Sequence, residues 1–435
     1  MLNAKKLLIT ALLVELMLTV AVISSIMPAY AEKEVDAGYI KRGFFFNFKD
    51  SPSAYGPYYD WCQTWFTGIT PNDVQKLQSY GTKVMLYRNL RAIYAAIEDY
   101  QIFVDNNWTQ RDRSGEVVYS ASYGIGYQIV DIGNPAVQDH IASWIAMKIS
   151  EFGFDGVLLD NSFGLDKWTI FYDANQQPIN PRTGEEWTPS EIQTALIECH
   201  SKIKAAIGNK TLVANGLYTG SRYFNDLEEQ ESLYSNSTAD GVMSEGAFYM
   251  DDGKWLSELE WKQSVDALLI QTGTYEKFAV IYAYNDVLPD GCTDEQMFLF
   301  GLCSTLLSVQ SNASYYGFGS YERDNVQFME TFGQAFFDTA NALGTPVSDY
   351  QRDSSGVYVR YFQRGIICVN PTGTTRIFED VVVDEHSGKI ILDTVPEFTL
   401  AIIVPFFMIA TLPVVILYRK RSLKCLSYLR DAYYF

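Results

Sequence analysis

Residues 154–161, with the sequence FDGVLLDN, give the strongest indication of the fold in this sequence. They predict a short strand that is apolar on both faces, as parallel strands are when helices cover both sides of a sheet. Asp155 and Gly156 form the turn into the strand, and Asp160 stands where the strand ends. A carboxylate at the C-terminal end of such a strand lies where barrel enzymes build their active sites.

The same pattern recurs at residues 240–245, with the sequence DGVMSE. In both places an Asp-Gly pair enters a strand, and an acid stands five positions after the Asp. One predicted strand, within residues 211–220, separates the two, and the side chains in one layer of an eight-stranded barrel come from alternate strands. We therefore expect Asp160 and Glu245 to lie at the same height and to face each other across the barrel mouth.

Two facing carboxylates are what hydrolysis of a sugar bond requires. One protonates the leaving oxygen, and the other acts as nucleophile or base. The structural alternative is that Asp-Gly is ordinary turn chemistry and that a strand-end acid caps the following helix. The recurrence of the whole pattern favours the catalytic interpretation.

Eight predicted strands alternate with helices over residues 38–345, which is the pattern of a (β/α)₈ TIM barrel of the α/β class. The strands are predicted at residues 41–49, 82–88, 127–131, 154–160, 211–214, 240–245, 278–285 and 313–319. The main helices are predicted at residues 71–80, 136–152, 190–207, 254–272, 293–309 and 325–343. Short alternating strands at residues 356–362, 365–370 and 375–383 then predict a small antiparallel β region over residues 346–394.

The two ends of the chain have the pattern of export and membrane segments. Residues 1–31 combine Lys5 and Lys6 with an apolar run and an Ala-Tyr-Ala cleavage signal, so they predict a signal peptide, with an uncleaved anchor as the alternative. Residues 395–421 contain about 20 mostly apolar residues followed by a basic cluster, which is long enough to span a bilayer. The basic cluster places the tail, residues 422–435, in the cytoplasm and the barrel outside the cell.

The composition limits the classes of partner and of chemistry. The formal net charge is -19 at pH 7, which repels phosphate backbones, so nucleic acid is not an expected partner. The six cysteines form no CxxC pair and the three histidines form no cluster with metal spacing, so we expect neither a metal nor a cofactor. Cys292 and Cys303 lie at the two ends of one predicted helix, too far apart for a disulfide.

Two resemblances to known families follow from these motifs. The tripeptide Pro396-Glu397-Phe398, with the apolar span and the basic cluster after it, resembles the PEF-type C-terminal sorting signal of archaeal surface proteins. That resemblance implies an archaeosortase-like processing enzyme as a partner and attachment at the outer cell surface. The tail is longer than in the usual signal, which leaves a plain single-pass membrane anchor as the alternative.

The barrel, through FDGVLLDN, VANGLYTG and GVMSEGAF, resembles TIM-barrel glycoside hydrolases related to α-galactosaminidase-like and α-amylase-like barrels. The resemblance covers residues 38–345. It implies that Asp160 is the nucleophile or base and that Glu245 is the general acid/base.

Polar and aromatic residues at strand ends and in loops complete the predicted site. Candidate partners of sugar hydroxyls are Arg88, Asp131, Asn161, Asn215, Tyr284 and Asn285. Trp61 and Trp65, in the first strand-to-helix loop, are candidate platforms for sugar rings, which pack their C–H faces on flat aromatic rings. The structural alternatives are helix caps and salt bridges for the polar residues and loop packing for the tryptophans.

Together these features predict a surface-anchored glycoside hydrolase that acts on an extracellular polysaccharide or glycan through two carboxylates. The first alternative is a non-catalytic barrel that binds glycans or builds the cell envelope, in which the two acids do not converge. The second is a hydrolase of glycan esters or amides. It is disfavoured because the sequence has no G-x-S-x-G elbow and no His-rich site.

Overall fold

The computed structural model describes residues 40–45, 48, 51–120, 124–162, 177–217, 224, 233–248, 253–284, 287–310, 314–319 and 325–393. The predicted signal peptide and the predicted C-terminal span lie outside these ranges. Within them, no helix is both long and apolar enough to cross a membrane. The described residues up to Ile391 form one compact unit, and only Leu392 and Asp393 are described of the second unit, residues 392–435.

Eight parallel strands close into a barrel in chain order, which confirms the predicted (β/α)₈ architecture. They are β1 (Ile40–Phe45), β2 (Trp61–Thr64), β3 (Lys83–Asn89), β4 (Gly156–Asp160), β5 (Thr211–Asn215), β6 (Gly241–Glu245), β7 (Phe278–Tyr284) and β8 (Ser314–Gly319). Their interior is filled by apolar side chains, among them Met85, Leu158, Val213, Met243 and Val280. The barrel is therefore a packed core whose chemistry has to lie at its rim.

Helices cover the barrel strands from outside. They are α1 (Pro71–Gln78), α2 (Tyr100–Asp105), α3 (Pro135–Phe152), α4 (Pro189–Ile207), α5 (Glu258–Leu269), α6 (Asp294–Ser308), α7 (Asn325–Phe328) and α8 (Gln334–Ala342). Thr70, Thr188 and Ser257 each form a capping box at the start of a helix, and Thr293 caps α6. These caps satisfy backbone N–H groups that have no partner within the helix, so the sequence defines where the helices begin.

One predicted barrel strand is wrong. Residues 127–131 are not in the barrel; strand Gly124–Ile129 instead pairs antiparallel with Ala92–Tyr94 and Tyr119–Ser120 in a sheet inserted after β3. The second barrel strand is β2, within a stretch that the sequence assigned to a loop. β2 has only four residues and two of them, Gln63 and Thr64, are polar, so it lacks the apolar run that marks the other strands.

At the start of each even-numbered barrel strand, a side-chain acceptor forms a hydrogen bond with the backbone of the odd-numbered strand before it. Each accepts from a backbone N–H, and the pairs are Asp60 with Arg42, Asp155 with Val84, Asp240 with Leu212 and Ser314 with Ala279, at 2.9, 2.9, 2.8 and 3.2 Å. The three aspartates also donate their own N–H groups to the carbonyl oxygens of the same partners. The two Asp-Gly turns therefore belong to a fourfold pattern that fixes the strands in pairs.

The small β region after the barrel is present. Strands β9 (Gln351–Arg352), β10 (Tyr358–Phe362), β11 (Gly365–Asn370) and β14 (Ser387–Leu392) form one sheet, and β12 (Arg376–Phe378) and β13 (Val381–Val383) form a hairpin. Arg360 on β10 is 1% exposed and donates to the carbonyl oxygens of Leu306, Leu307 and Val309 at the C-terminal end of α6. A buried cation at the negative end of a helix thus joins this sheet to the barrel.

Candidate active site

Asp160 is the last residue of β4, every residue of which is buried. It is two residues after Leu158, which lies in the barrel interior, so its side chain also points inward at the C-terminal rim. Gly156 starts the strand because a Cβ atom there would lie 2.0 Å from the carbonyl oxygen of Thr211. The close approach of β4 to β5 therefore requires the glycine of the Asp-Gly pair.

The carboxylate of Asp160 accepts three hydrogen bonds. Its Oδ1 accepts from the backbone N–H of Asn161 and from Nδ2 of Asn215, both at 2.8 Å, and its Oδ2 accepts from the hydroxyl of Tyr87. Burial raises the pKa of Asp160, and these three donors oppose that rise because they stabilise the ionised form. The carboxylate is thus held in one orientation by donors from β3, β4 and β5.

Asn215 joins the two acids. It is the last residue of β5, and its Nδ2 lies 2.8 Å from Oδ1 of Asp160 and 2.5 Å from Oε1 of Glu245. The two carboxylate oxygens are consequently within about 5.3 Å of each other, the sum of those two distances. Asp160 and Asn215 are buried, whereas Glu245, the last residue of β6, is exposed.

The two acids lie in one layer of the barrel. In the strand pairing Asp160 is level with Asn215, and Asn215 pairs with Met243 rather than with Glu245. The strands of a barrel of this type are staggered, with a shear of about eight. Residues at the same height along the barrel axis are therefore offset from the paired residue by about one position for each strand. On β6, two strands beyond the strand of Asp160, the residue at the height of Asp160 is therefore two positions after Met243, which is Glu245. The acids are neighbours in the layer, joined by Asn215, rather than on opposite walls as the sequence suggested.

Trp65 belongs to the same layer. It stands five residues after Asp60, as Asp160 and Glu245 stand five residues after Asp155 and Asp240. Its ring packs on Tyr87, with centroids 4.2 Å apart, and Tyr87 in turn bonds to Asp160. Trp65 and Glu245 therefore flank Asp160 on its two sides.

Two other predicted residues, Asn161 and Tyr284, follow or end barrel strands at the C-terminal rim. Asn161 donates its backbone N–H to Asp160, and its left-handed φ of 58° turns the chain away from β4. Tyr284 ends β7, and Asn285 lies outside the described residues. The structure thus brings together Asp160, Glu245, Asn215, Asn161 and Trp65.

The structure gives Arg88, Asp131 and Trp61 other contacts. Arg88 follows the inward-pointing Tyr87 on β3, so its side chain points out of the barrel. Its guanidinium forms a buried double hydrogen bond with Asp99 at 3.1 and 3.0 Å. Asp131 follows the inserted sheet and accepts from Gln110 and from Arg182. Trp61 starts β2 and packs on Phe278 and Tyr315 inside the barrel.

Tyr87 is the site residue that the sequence reasoning missed. It precedes Arg88 on β3, and every residue from Val84 to Asn89 is buried. A strand that is buried on both faces shows no alternation of polar and apolar residues, so its sequence does not reveal which side chains point inward. The signal that was available is the spacing of two from Met85 to Tyr87 to Asn89 along the inner face.

A cavity of about 340 Å³ opens at the opposite end of the barrel and contains neither acid. Its lining includes the first residues of β1, with Lys41 and Arg42, together with Asp60, Lys83 and Tyr315. Catalytic groups of barrel enzymes lie at the C-terminal ends of the strands, so we place the active site at the rim with the two acids. Within the described ranges, no group of three or more His, Cys, Asp or Glu side chains is arranged to hold a metal ion.

Solved structures similar to this chain include a glycoside hydrolase domain, an α-amylase and a complex with galactosamine. The glycoside hydrolase domain of PelA from Pseudomonas aeruginosa is 17% identical over 64% of this chain and 94% of that one, with a TM-score of 0.42. The α-amylase from Geobacillus thermoleovorans in complex with acarbose is 11% identical over 80% and 97%, with a TM-score of 0.48. Aspergillus fumigatus Ega3 in complex with galactosamine is 13% identical over 68% and 97%, with a TM-score of 0.40.

These likenesses concern the fold alone, and no curated protein matches the sequence. Family membership rests on the sequence itself. The profile of the family described as Hypothetical glycosyl hydrolase family 15, GHL15, matches residues 81–366, which is well over half of the 435 residues. That match runs from before β3 into the small β region and includes both acids. The chain therefore belongs to this glycosyl hydrolase family and is a glycoside hydrolase.

Proposed function

We propose that this glycoside hydrolase cleaves its glycan with retention of configuration, with Asp160 as nucleophile and Glu245 as general acid/base. The observation that carries the proposal is the bridge through Asn215, which keeps an oxygen of each acid within about 5.3 Å of the other. Retaining enzymes have carboxyl groups about 5–5.5 Å apart, whereas inverting enzymes separate them by about 6.5–9.5 Å to leave room for a water.

The reaction has two steps in this proposal. In the first, Asp160 attacks the anomeric carbon, the glycosidic C–O bond breaks, and Glu245 gives its proton to the leaving oxygen. In the second, Glu245 takes a proton from water, whose oxygen attacks the same carbon and releases Asp160. The exposed position of Glu245 suits a group that meets both the leaving sugar and the incoming water.

The surroundings of Asp160 support the role of nucleophile. A nucleophile has to be ionised and aimed, and three donors hold this carboxylate in place. Tyr87, Asn215 and the N–H of Asn161 therefore act as positioning groups in our proposal. Trp65, Tyr284 and Asn285 are proposed to contact the sugar, whereas Arg88, Asp131 and Trp61 are proposed to hold the scaffold.

We further propose that the enzyme works outside the cell and is attached to the cell surface. The support is the signal-like pattern of residues 1–31 and the sorting-signal-like order of residues 395–421, before a tail at 422–435. The barrel over residues 38–345 and the β region over 346–394 lie between them. Cell fractionation with antibodies to the barrel and to the tail tests this: surface attachment with loss of the tail supports processing, and a soluble intracellular protein contradicts it.

Hydrolysis of a panel of polysaccharides by wild type, Asp160→Asn and Glu245→Gln tests the catalytic assignment. We expect both variants to lose at least about 10³-fold in kcat on any glycan that the wild type cleaves. With aryl glycosides, whose leaving group departs without a proton from Glu245, azide should restore turnover in each, with the inverted glycosyl azide from the nucleophile variant and the retained one from the acid/base variant. The matched control is Asp139→Asn, a carboxylate that is 66% exposed on α3 and paired with Lys202.

Full activity in either variant would contradict the assignment. A reversed pattern of azide products would exchange the two roles, and an inverted product from the wild type would contradict the retaining mechanism.

A further inference from the structure

A row of aromatic rings leads away from the two acids. From Tyr87, which bonds to Asp160, the ring of Trp65 lies 4.2 Å away, and Tyr94 lies 6.4 Å beyond it in an edge-to-face contact. Tyr127 completes the row 4.5 Å from Tyr94. Tyr94 and Tyr127 are directly opposite in the sheet that is inserted after β3, so they share one face of it. We call Trp65, Tyr94 and Tyr127 the aromatic row.

The row starts on the side of Asp160 that is away from Glu245. Trp65 follows β2 and the inserted sheet follows β3, whereas Glu245 ends β6. In a retaining mechanism the sugar that bonds to the nucleophile is the glycone, and the acid meets the leaving group. A glycan chain whose reacting sugar is at Asp160 therefore extends its glycone toward the aromatic row and its leaving group toward Glu245.

Trp65 and Tyr94 pack against the hydrophobic core on one side, and the partial exposure of all three rings leaves room for a ligand on the other. Trp65, Tyr94 and Tyr127 are all partly exposed. The inserted region already has a fully buried aromatic anchor in Phe103, which packs on Trp108 and His140. Aromatic rings with one wet side suit ligands that are apolar on a face and polar at the edge, as sugars are.

The charge of the site limits the kind of sugar. The proposed reaction uses two carboxylates at this rim, and the chain has a formal net charge of -19. A polyanionic glycan would meet repulsion from the two acids and from the net negative charge of the chain. The stacking surface suits any pyranose ring that bears no acid group.

We propose that the aromatic row binds two or more successive glycone units of a glycan chain without acid groups. The inference rests on the proposed function, because Asp160 and Glu245 define which end of the chain is the glycone. It adds the direction in which the substrate lies and a preference for oligomers over single sugars.

The test uses 4-nitrophenyl glycosides with one to four units in the glucose, galactose and N-acetylhexosamine series. The leaving group is constant, so any dependence on length arises on the glycone side. We expect kcat/KM of the wild type to rise with the number of units. In Tyr94→Ala and Tyr127→Ala, the ratio between the four-unit and the one-unit substrate should fall about fivefold or more per ring, since one aromatic contact is worth up to about 1.5 kcal/mol.

Tyr94→Phe and Tyr127→Phe keep the rings and should keep the ratio, which separates stacking from loss of the inserted sheet. The control is Tyr361→Ala, a tyrosine that is 41% exposed on β10. Thermal unfolding of each variant shows whether the sheet is intact. An unchanged length dependence in both alanine variants, or a dependence that appears only when units are added on the leaving side, would overturn the proposal.

Binding provides a second measurement that does not depend on turnover. Calorimetric titration of Asp160→Asn and of the double variant Asp160→Asn/Tyr94→Ala with the unlabelled hexasaccharides of the same series avoids cleavage of the ligand. The Tyr94 substitution should lower the affinity about fivefold or more. If the hexasaccharides bind in this way but nothing is cleaved, the aromatic row stands and the catalytic proposal fails. If glycosides are cleaved but neither the chain length nor the two tyrosine rings affect kcat/KM, the catalytic proposal stands and the aromatic-row proposal fails. No binding and no cleavage across the panel would contradict both.

Discussion

The carboxylates of Asp160 and Glu245 accept hydrogen bonds from one nitrogen, Nδ2 of Asn215, at 2.8 and 2.5 Å. A single amide group therefore sets the separation of the two acids, and it does so from the strand that lies between theirs. In our proposal Asn215 is therefore a positioning residue for the reaction rather than only a ligand of a sugar hydroxyl.

Replacing Asn215 with Ala should lower kcat roughly 10²-fold, as removal of one preorganised donor does in other active sites. The cause is the loss of the bridge, which leaves the two carboxylates free to move and removes one donor from the ionised form of Asp160. The measurement is the pH profile of kcat/KM, whose acidic limb should move to higher pH.

Asn106→Ala is the matched control, because that side chain donates only to the Ile102 carbonyl at an exposed helix end. Activity and pH profile should equal those of wild type there. If Asn215→Ala changed KM alone, the amide would contact substrate without positioning the acids.

Replacing Tyr87 with Phe removes the hydroxyl that donates to Asp160. That hydrogen bond lowers the pKa of Asp160 against the effect of burial, so its loss should raise the pKa. Asp160 has to be ionised to act as nucleophile. The acidic limb of kcat/KM should therefore move upward, by roughly one pH unit for a hydrogen bond worth about 1.4 kcal/mol. A limb that does not move, or moves downward, would show that another group titrates there.

The aspartates that begin the even-numbered strands explain how much the sequence revealed. Asp155 and Asp240 stood out because Asp-Gly is a turn signal and an apolar strand follows each. Asp60 makes the same hydrogen bonds, but Trp-Cys-Gln-Thr follows it, and a short strand with two polar residues does not show the expected apolar run. Trp65 stands five residues after Asp60, as Asp160 and Glu245 stand five residues after Asp155 and Asp240. This shared spacing was the sequence signal for β2.

The residues that the sequence misplaced share a different cause. Residues 127–129 do lie in a strand, but local sequence does not reveal whether a strand pairs parallel in the barrel or antiparallel in an insertion. Arg88 was chosen over Tyr87 because charge was the visible feature in a strand that is buried on both faces. Its pairing with Asp99 depends on the start of α2, a helix that the sequence analysis did not predict.

Acid should destabilise the fold through His200. Its imidazole is buried on α4 beside Ser237, and burial, with a smaller effect of the Lys277 charge, lowers the pKa of His200 from 6.5 to about 3. Between those pH values the unfolded chain binds a proton that the folded chain does not. The free energy of unfolding should therefore fall with falling pH by about 1.4 kcal/mol per unit from this one site.

Denaturant unfolding of wild type and His200→Gln between pH 7 and pH 4 measures this contribution as a difference. The carboxylates titrate alike in both proteins, so their effects cancel. The variant should lose less stability over the window. Parallel curves for the two proteins would mean that His200 does not stay neutral in the folded state.

The buried guanidinium of Arg360 should contribute much more to stability than an exposed one. Arg360→Met leaves three carbonyl groups at the end of α6 without their donor, which should cost roughly 3 kcal/mol or more. Arg352→Met is the control, because Arg352 is 47% exposed and pairs with Glu258 at the surface. Such a pair is worth about 0–1 kcal/mol. Urea unfolding followed by tryptophan fluorescence compares them, and similar losses would contradict the joining role of Arg360.

The central claim is that Asp160 is the nucleophile of a retaining glycoside hydrolase. The most direct measurement is mass spectrometry of the enzyme after reaction with a 2-deoxy-2-fluoro glycosyl fluoride of a sugar that it cleaves, because the fluorine slows release of the covalent intermediate. Our account predicts a single glycosyl adduct on the peptide that contains Asp160. An adduct on another residue, or no adduct together with an inverted product, would contradict it.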